Sequence, residues 1–352
     1  MKTAERNIGL DIVRFTAIIL VPVLHSFAYI PMLDSDFLGS KWCFFLALHY
    51  LSLICVPLFM MLSGSLMRQK TLSGKYYAGL LKIIVPYVII SLVAIAAVYI
   101  KTGVFPGVLE GVKSIFDFTA IGYAWYVEMY IGLYLLIPFL NLLYGALDKK
   151  GKQILIVTLA SLTVLPLFFK SLSGASHFLD IIPDWWTGIY PITYYFLGAY
   201  LGEYKPKIRK RFVLLGLMLS ILLPTAVNCF YTAKNGGYAW YVMNGSDCLS
   251  TMAIAIFVWL LLADIKKLPR AVSFVVTEIS VCSFEMYLYS YIADGFLYSV
   301  VSPHISNLHI PPFPVMPLLV ILVSYIAARA TRFVSAPLSK LLIRTASERK
   351  QK

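Results

Sequence analysis

The stretch LDIVRFTAIILVPVLHSF, residues 10–27, decides how the whole chain is read. It is long and apolar enough to belong in a hydrocarbon core of about 30 Å. Yet it carries Asp11, Arg14 and His25. Ionisable side chains in hydrocarbon cost several kcal/mol and are retained where they have a partner or a purpose. Helix geometry relates two of them. From Arg14 to His25 an α-helix turns by about 1100°, three turns plus about 20°, so the two side chains share a face about 16 Å apart along the axis.

The rest of the chain repeats the apolar character. Hydrophobic residues make up 60% and charged residues 13%, against about 25% charged in a soluble domain, and the mean hydropathy is +0.79. Backbone groups in lipid must be satisfied within their own segment, which favours helices and excludes open sheets. The fold class expected is therefore all-α, a polytopic transmembrane helical bundle. About ten spans are predicted, at roughly 8–30, 43–67, 76–100, 121–145, 152–170, 187–203, 211–231, 248–264, 272–301 and 315–336. Lys2 and Arg6 ahead of an apolar run imitate a signal peptide, but Asp11 and Arg14 interrupt the run and no small-residue cleavage site closes it. One integral membrane domain over residues 1–345 and a short basic tail at 346–352 account for the chain.

Lysine and arginine then orient the bundle, because cytoplasmic loops carry the excess of both. Most of the 30 basic residues alternate onto one side, in the N-terminus, the clusters Lys149-Lys150-Lys152 and Lys205 to Arg211, and the C-terminal residues. Both termini are expected in the cytoplasm. The net charge of +13 is largely this topology signal, so no nucleic-acid partner is implied; the lipid bilayer is the partner. Five cysteines and five histidines show no metal-ligand spacing, so no metal is expected.

The embedded charges admit two readings each. Arg14 and Lys82 both lie six residues past the cytoplasmic start of a predicted span, so both should sit about 9 Å deep. Two cations at one depth repel unless an anion such as a phosphate joins them. Alternatively Asp11, one turn before Arg14, pairs with it, and Lys82 extends its ammonium to the interface. Glu128 and His25 should lie at about the same depth below the outer surface, some 8–10 Å. They make either a His–Glu acid–base dyad or a structural hydrogen bond between helices. Glu285 and Asp294 are further intramembrane carboxylates that could line a polar cavity. The aromatic clusters around Trp125, Trp185 and Trp240 read as an interfacial belt, and the same rings could also stack on a sugar.

Taken together, Arg14 and His25 within LDIVRFTAIILVPVLH, then VPLFMMLSGSLM, KIIVPY and WYVEMYIGLYLLIPFLN, resemble the acyltransferase 3 family of integral membrane O-acyltransferases, over essentially the whole chain. The resemblance implies that acyl-CoA (acetyl-CoA or another short-chain thioester) binds from the cytoplasm, with Arg14 and Lys82 on its phosphates. It implies that His25 is the catalytic base, supported by Glu128. The acceptor implied is a surface glycan or lipid-linked sugar, and the location a bacterial cytoplasmic membrane. Two departures stand out. Where relatives commonly carry two arginines three apart, this chain has Gly79 and Lys82, and a histidine frequent late in the family appears as Ser290. A transporter or flippase for a polysaccharide precursor, and a non-catalytic membrane scaffold or sensor, are the competing readings.

Overall fold

The computed structural model describes residues 6–30, 37–172, 183–307 and 312–348. Helices run in the order α1 (Ile8–Tyr29), α2 (Ser40–Ser52), α3 (Cys55–Met67), α4 (Gly74–Ala78), α5 (Leu81–Thr102), α6 (Val108–Phe116) and α7 (Trp125–Ala146). They continue as α8 (Lys149–Thr163), α9 (Leu165–Leu172), α10 (Tyr190–Tyr204), α11 (Lys210–Asn235), α12 (Leu249–Leu262), α13 (Arg270–Asn307) and α14 (Pro312–Glu348). A 3-10 turn, Asp184–Ile189, leads into α10. No strand occurs among the described residues, and the all-α membrane fold read from the sequence is the one observed.

Among the described residues, eight segments are long and apolar enough to cross a membrane: α1, α2 with α3, α4 with α5, α7, α8 with α9, α11, α13 and α14. The other two predicted spans are α10 and α12, of 15 and 14 residues, or about 21–23 Å at 1.5 Å per residue. Proline explains where segments break. Pro57 has no N–H to offer the Leu53 carbonyl and its ring crowds that oxygen, and the chain turns at Leu53–Ile54 between α2 and α3. The reverse holds at Pro337, before which the last span was expected to end. Here α14 continues to Glu348: Pro337 withdraws the N–H that would meet the Phe333 carbonyl, but the helix lies against α5, where Ser339 Oγ approaches the Leu81 carbonyl at 3.3 Å. Tertiary packing thus overrides the local signal. Residues 346–348 of the expected basic tail are helical as a result; residues 349–352, like His177 and His309, lie outside the described residues.

The chain divides into two compact units, one of Met1–Gln69 with Leu143–Ser280, the other of Lys70–Leu142 with Val281–Lys352. In the first, α3 and α10 form the tightest pair. A Cβ on Gly64 would stand 1.9 Å from the Tyr195 carbonyl oxygen, and one on Gly198 2.0 Å from that of Met61. In lipid, where apolar surface gains nothing from leaving the solvent, such close approach through small residues supplies the packing energy. Around this pair Leu58, Met61, Tyr195 and Phe196 are fully buried. Lys152 and Glu203 pair at 3.0 Å with the Tyr144 hydroxyl donating to Glu203 at 2.7 Å.

In the second unit, α14 lies along α5. The Tyr87 hydroxyl of α5 donates to the Ile115 carbonyl of α6 at 2.7 Å, and Tyr123 donates to the fully buried Asp294 at 2.8 Å. A reciprocal clasp joins α4 to α7. Tyr76 Oη donates to the Tyr134 carbonyl at 2.6 Å, Tyr134 Oη donates to the Tyr76 carbonyl at 2.8 Å, and the two rings stack at 4.6 Å.

Candidate active site

The first turn of α1 builds an ionic cluster. Asn7 caps the helix, its side chain accepting from the N–H groups of Gly9 and Leu10, and leaves the next turn free to place Asp11 where the helix dipole favours an anion. Asp11 is buried, at 4% exposure. It is bound by the Arg6 guanidinium through both of its oxygens and lies 3.5 Å from Arg14 Nη1. Ser280 of α13 closes the ring. Its hydroxyl donates to Asp11 at 2.9 Å and accepts from Arg14 at 3.2 Å. Of the two readings of Arg14, pairing with Asp11 is therefore realised. Two guanidiniums thus share one carboxylate, and the Arg14 side chain remains 26% exposed.

His25 lies three turns further along the same helix, beyond Pro22, and is half-buried. Lys82, in the first turn of α5, and Glu128, in the first turn of α7, are both exposed. Each proposed pair has one member in each unit: Arg14 and His25 belong to the first, Lys82 and Glu128 to the second. Glu285 and Asp294 each accept a hydrogen bond within the second unit. Glu285 is buried and accepts from Arg332 Nη1 at 3.2 Å, and Asp294 is the acceptor for Tyr123.

The two departures from the family pattern have structural explanations. A Cβ at Gly79 would meet the Tyr134 hydroxyl at 2.5 Å and the Tyr76 carbonyl oxygen at 2.8 Å. The tyrosine clasp occupies the volume an arginine side chain would leave through, so only glycine fits there. Ser290 is buried, and its hydroxyl donates to the Tyr287 carbonyl of its own helix at 2.7 Å, a self-contained bond rather than a base.

Sequence reading missed the partner of a second intramembrane histidine. His49 of α2 is buried and lies 3.0 Å through Nε2 from Asn244 Oδ1, with the rings of Phe27 and Trp240 edge-on to it. The two residues are 195 positions apart, and a loop asparagine carries no local mark of such a role. The Arg332–Glu285 pair was missed for the same reason.

Comparison with known proteins supplies the remaining link. The acyltransferase 3 family model, an acyltransferase domain, matches residues 7–329 and so runs through both units. No curated protein and no solved structure matches the chain significantly. The matched region takes in Asp11, Arg14, Ser280, His25, Gly79, Lys82 and Glu128. This chain belongs to the acyltransferase 3 family and is a multi-pass membrane acyltransferase.

Proposed function

We propose that the chain is an O-acyltransferase of the bacterial cytoplasmic membrane, moving an acetyl or other short acyl group from cytoplasmic acyl-CoA to a hydroxyl of a surface glycan or lipid-linked sugar. The observation that carries this reading is the placement of Arg14 and His25 on one continuous helix, α1. They stand about 16 Å apart on one face, a span suited to a phosphate grip at one end of a pantetheine arm and a base at the other. Arg14 and Lys82 hold the coenzyme phosphates by charge-assisted hydrogen bonds. Ser280 and Asp11 fix the direction of the Arg14 guanidinium.

At the other end His25 takes the proton from the acceptor hydroxyl as its oxygen attacks the thioester carbonyl carbon. The carbon–sulfur bond breaks as the ester forms, and the proton held by His25 passes to the leaving coenzyme thiolate. Glu128 supports the imidazolium that forms between these steps.

The test is transfer from radiolabelled acetyl-CoA in membranes holding the protein. His25→Ala should lower the rate by about 10²–10⁴-fold, the usual worth of a general base, with expression in the membrane unchanged. Near-normal transfer by well-expressed His25→Ala protein would exclude this role.

A further inference from the structure

A groove of about 360 Å³ opens on α14, lined by Arg329, Arg332, Phe333 and Ala336. These four positions recur at the three- and four-residue spacing that puts side chains on one helix face, so one helix supplies every lining residue. Arg332 is anchored from inside the protein by the buried Glu285 carboxylate at 3.2 Å. The same face continues outward as exposed apolar residues: Ile326 is 60% and Leu322 54% exposed. On the far side of the arginines Phe333 is 85% exposed.

Depth gives this pattern its meaning. The lysine and arginine distribution puts the C-terminal end of α14 in the cytoplasm. Arg332 lies roughly 26 Å past the start of the predicted span at residue 315, near the inner edge of a core about 30 Å thick. Long cationic side chains at that level extend to the headgroups, where the cytoplasmic leaflet carries its anionic lipids.

We propose that this groove binds the phosphate of an anionic phospholipid of the inner leaflet, with the guanidiniums of Arg329 and Arg332 on the headgroup and an acyl chain along Ile326 and Leu322. Three observations favour a lipid over a soluble phosphate. One helix forms the groove, so the bilayer completes it. The apolar stripe runs from the arginines toward mid-membrane, the direction an acyl chain takes. By the count from residue 315 the groove lies near the inner edge of the core, within reach of the headgroups for a long cationic side chain. The inference stands apart from the donor and acceptor proposed above.

Delipidated protein in detergent can be titrated with dioctanoyl phosphatidylglycerol, dioctanoyl phosphatidylcholine and coenzyme A, with bound species counted by native mass spectrometry. Phosphatidylglycerol should bind in preference to phosphatidylcholine. Arg329→Gln should weaken phosphatidylglycerol by about tenfold or more, and Arg329→Lys should retain most of the binding. Phenylglyoxal labelling of the unsubstituted protein gives a second measurement that does not depend on how a variant folds: phosphatidylglycerol should shield Arg329. Wild-type phosphatidylglycerol binding by both variants would overturn the proposal. So would shielding of Arg329 by coenzyme A and not by phosphatidylglycerol, or by neither.

Discussion

Two intramembrane arginines, Arg14 on α1 and Arg332 on α14, each rest on a buried carboxylate, and the two are held in different ways. Asp11 serves Arg14 from the preceding turn of the same helix, and is shared with Arg6 and Ser280. Glu285 serves Arg332 from another helix, with a single guanidinium nitrogen as donor. The first arrangement is a crowded cluster whose members fix one another. The second is one strut between α13 and α14. A carboxylate that several groups share should matter more to the fold than one that a half-exposed arginine alone uses.

That comparison can be broken by removing the carboxylates. Asp11→Ala removes the buried carboxylate that Arg6, Arg14 and Ser280 share, and should cost about 3–5 kcal/mol, the range for breaking a buried ion pair. Glu285→Ala frees Arg332, which is 35% exposed and can turn toward water or headgroups. Its cost should be about 1–3 kcal/mol. Thermal unfolding of the purified protein in detergent measures both, and a larger loss for Glu285→Ala would reverse the argument.

A substitution in the second unit sharpens it. Restoring the family's arginine by Gly79→Arg should destabilise the second unit by about 1–3 kcal/mol through overpacking against the tyrosine clasp, and coenzyme binding should not improve. Tighter coenzyme A binding by a stable Gly79→Arg protein would show that the clasp yields.

How much of this the sequence discloses follows the reach of each interaction. The apolar runs disclose the spans, because lipid imposes length and backbone satisfaction on every segment alike; α1 was expected at 8–30 and runs Ile8–Tyr29. The nine-residue α6, Val108–Phe116, was read as loop because an isolated helix that short gives no apolar run of membrane length. Asp11 with Arg14 is legible since helix spacing is local. Ser280, Glu285 with Arg332, and His49 with Asn244 are not, because nothing at either position records which distant segment packs beside it. Gly79 reads as a lost cation until Tyr76 and Tyr134 are seen around it.

The central claim is that the face of α1 carrying Arg14 and His25 receives a coenzyme thioester, phosphates at one end and acyl group at the other. Titration of the purified protein with coenzyme A and with pantetheine, which lacks the phosphates, tests it most directly. Wild-type protein should prefer coenzyme A. Arg14→Ala should erase most of that preference, weakening coenzyme A by roughly 10- to 150-fold, the equivalent of about 1.5–3 kcal/mol for a charge-assisted contact, and leaving pantetheine little changed. Equal affinity of the wild-type protein for the two ligands, with no response to Arg14→Ala, would contradict the account.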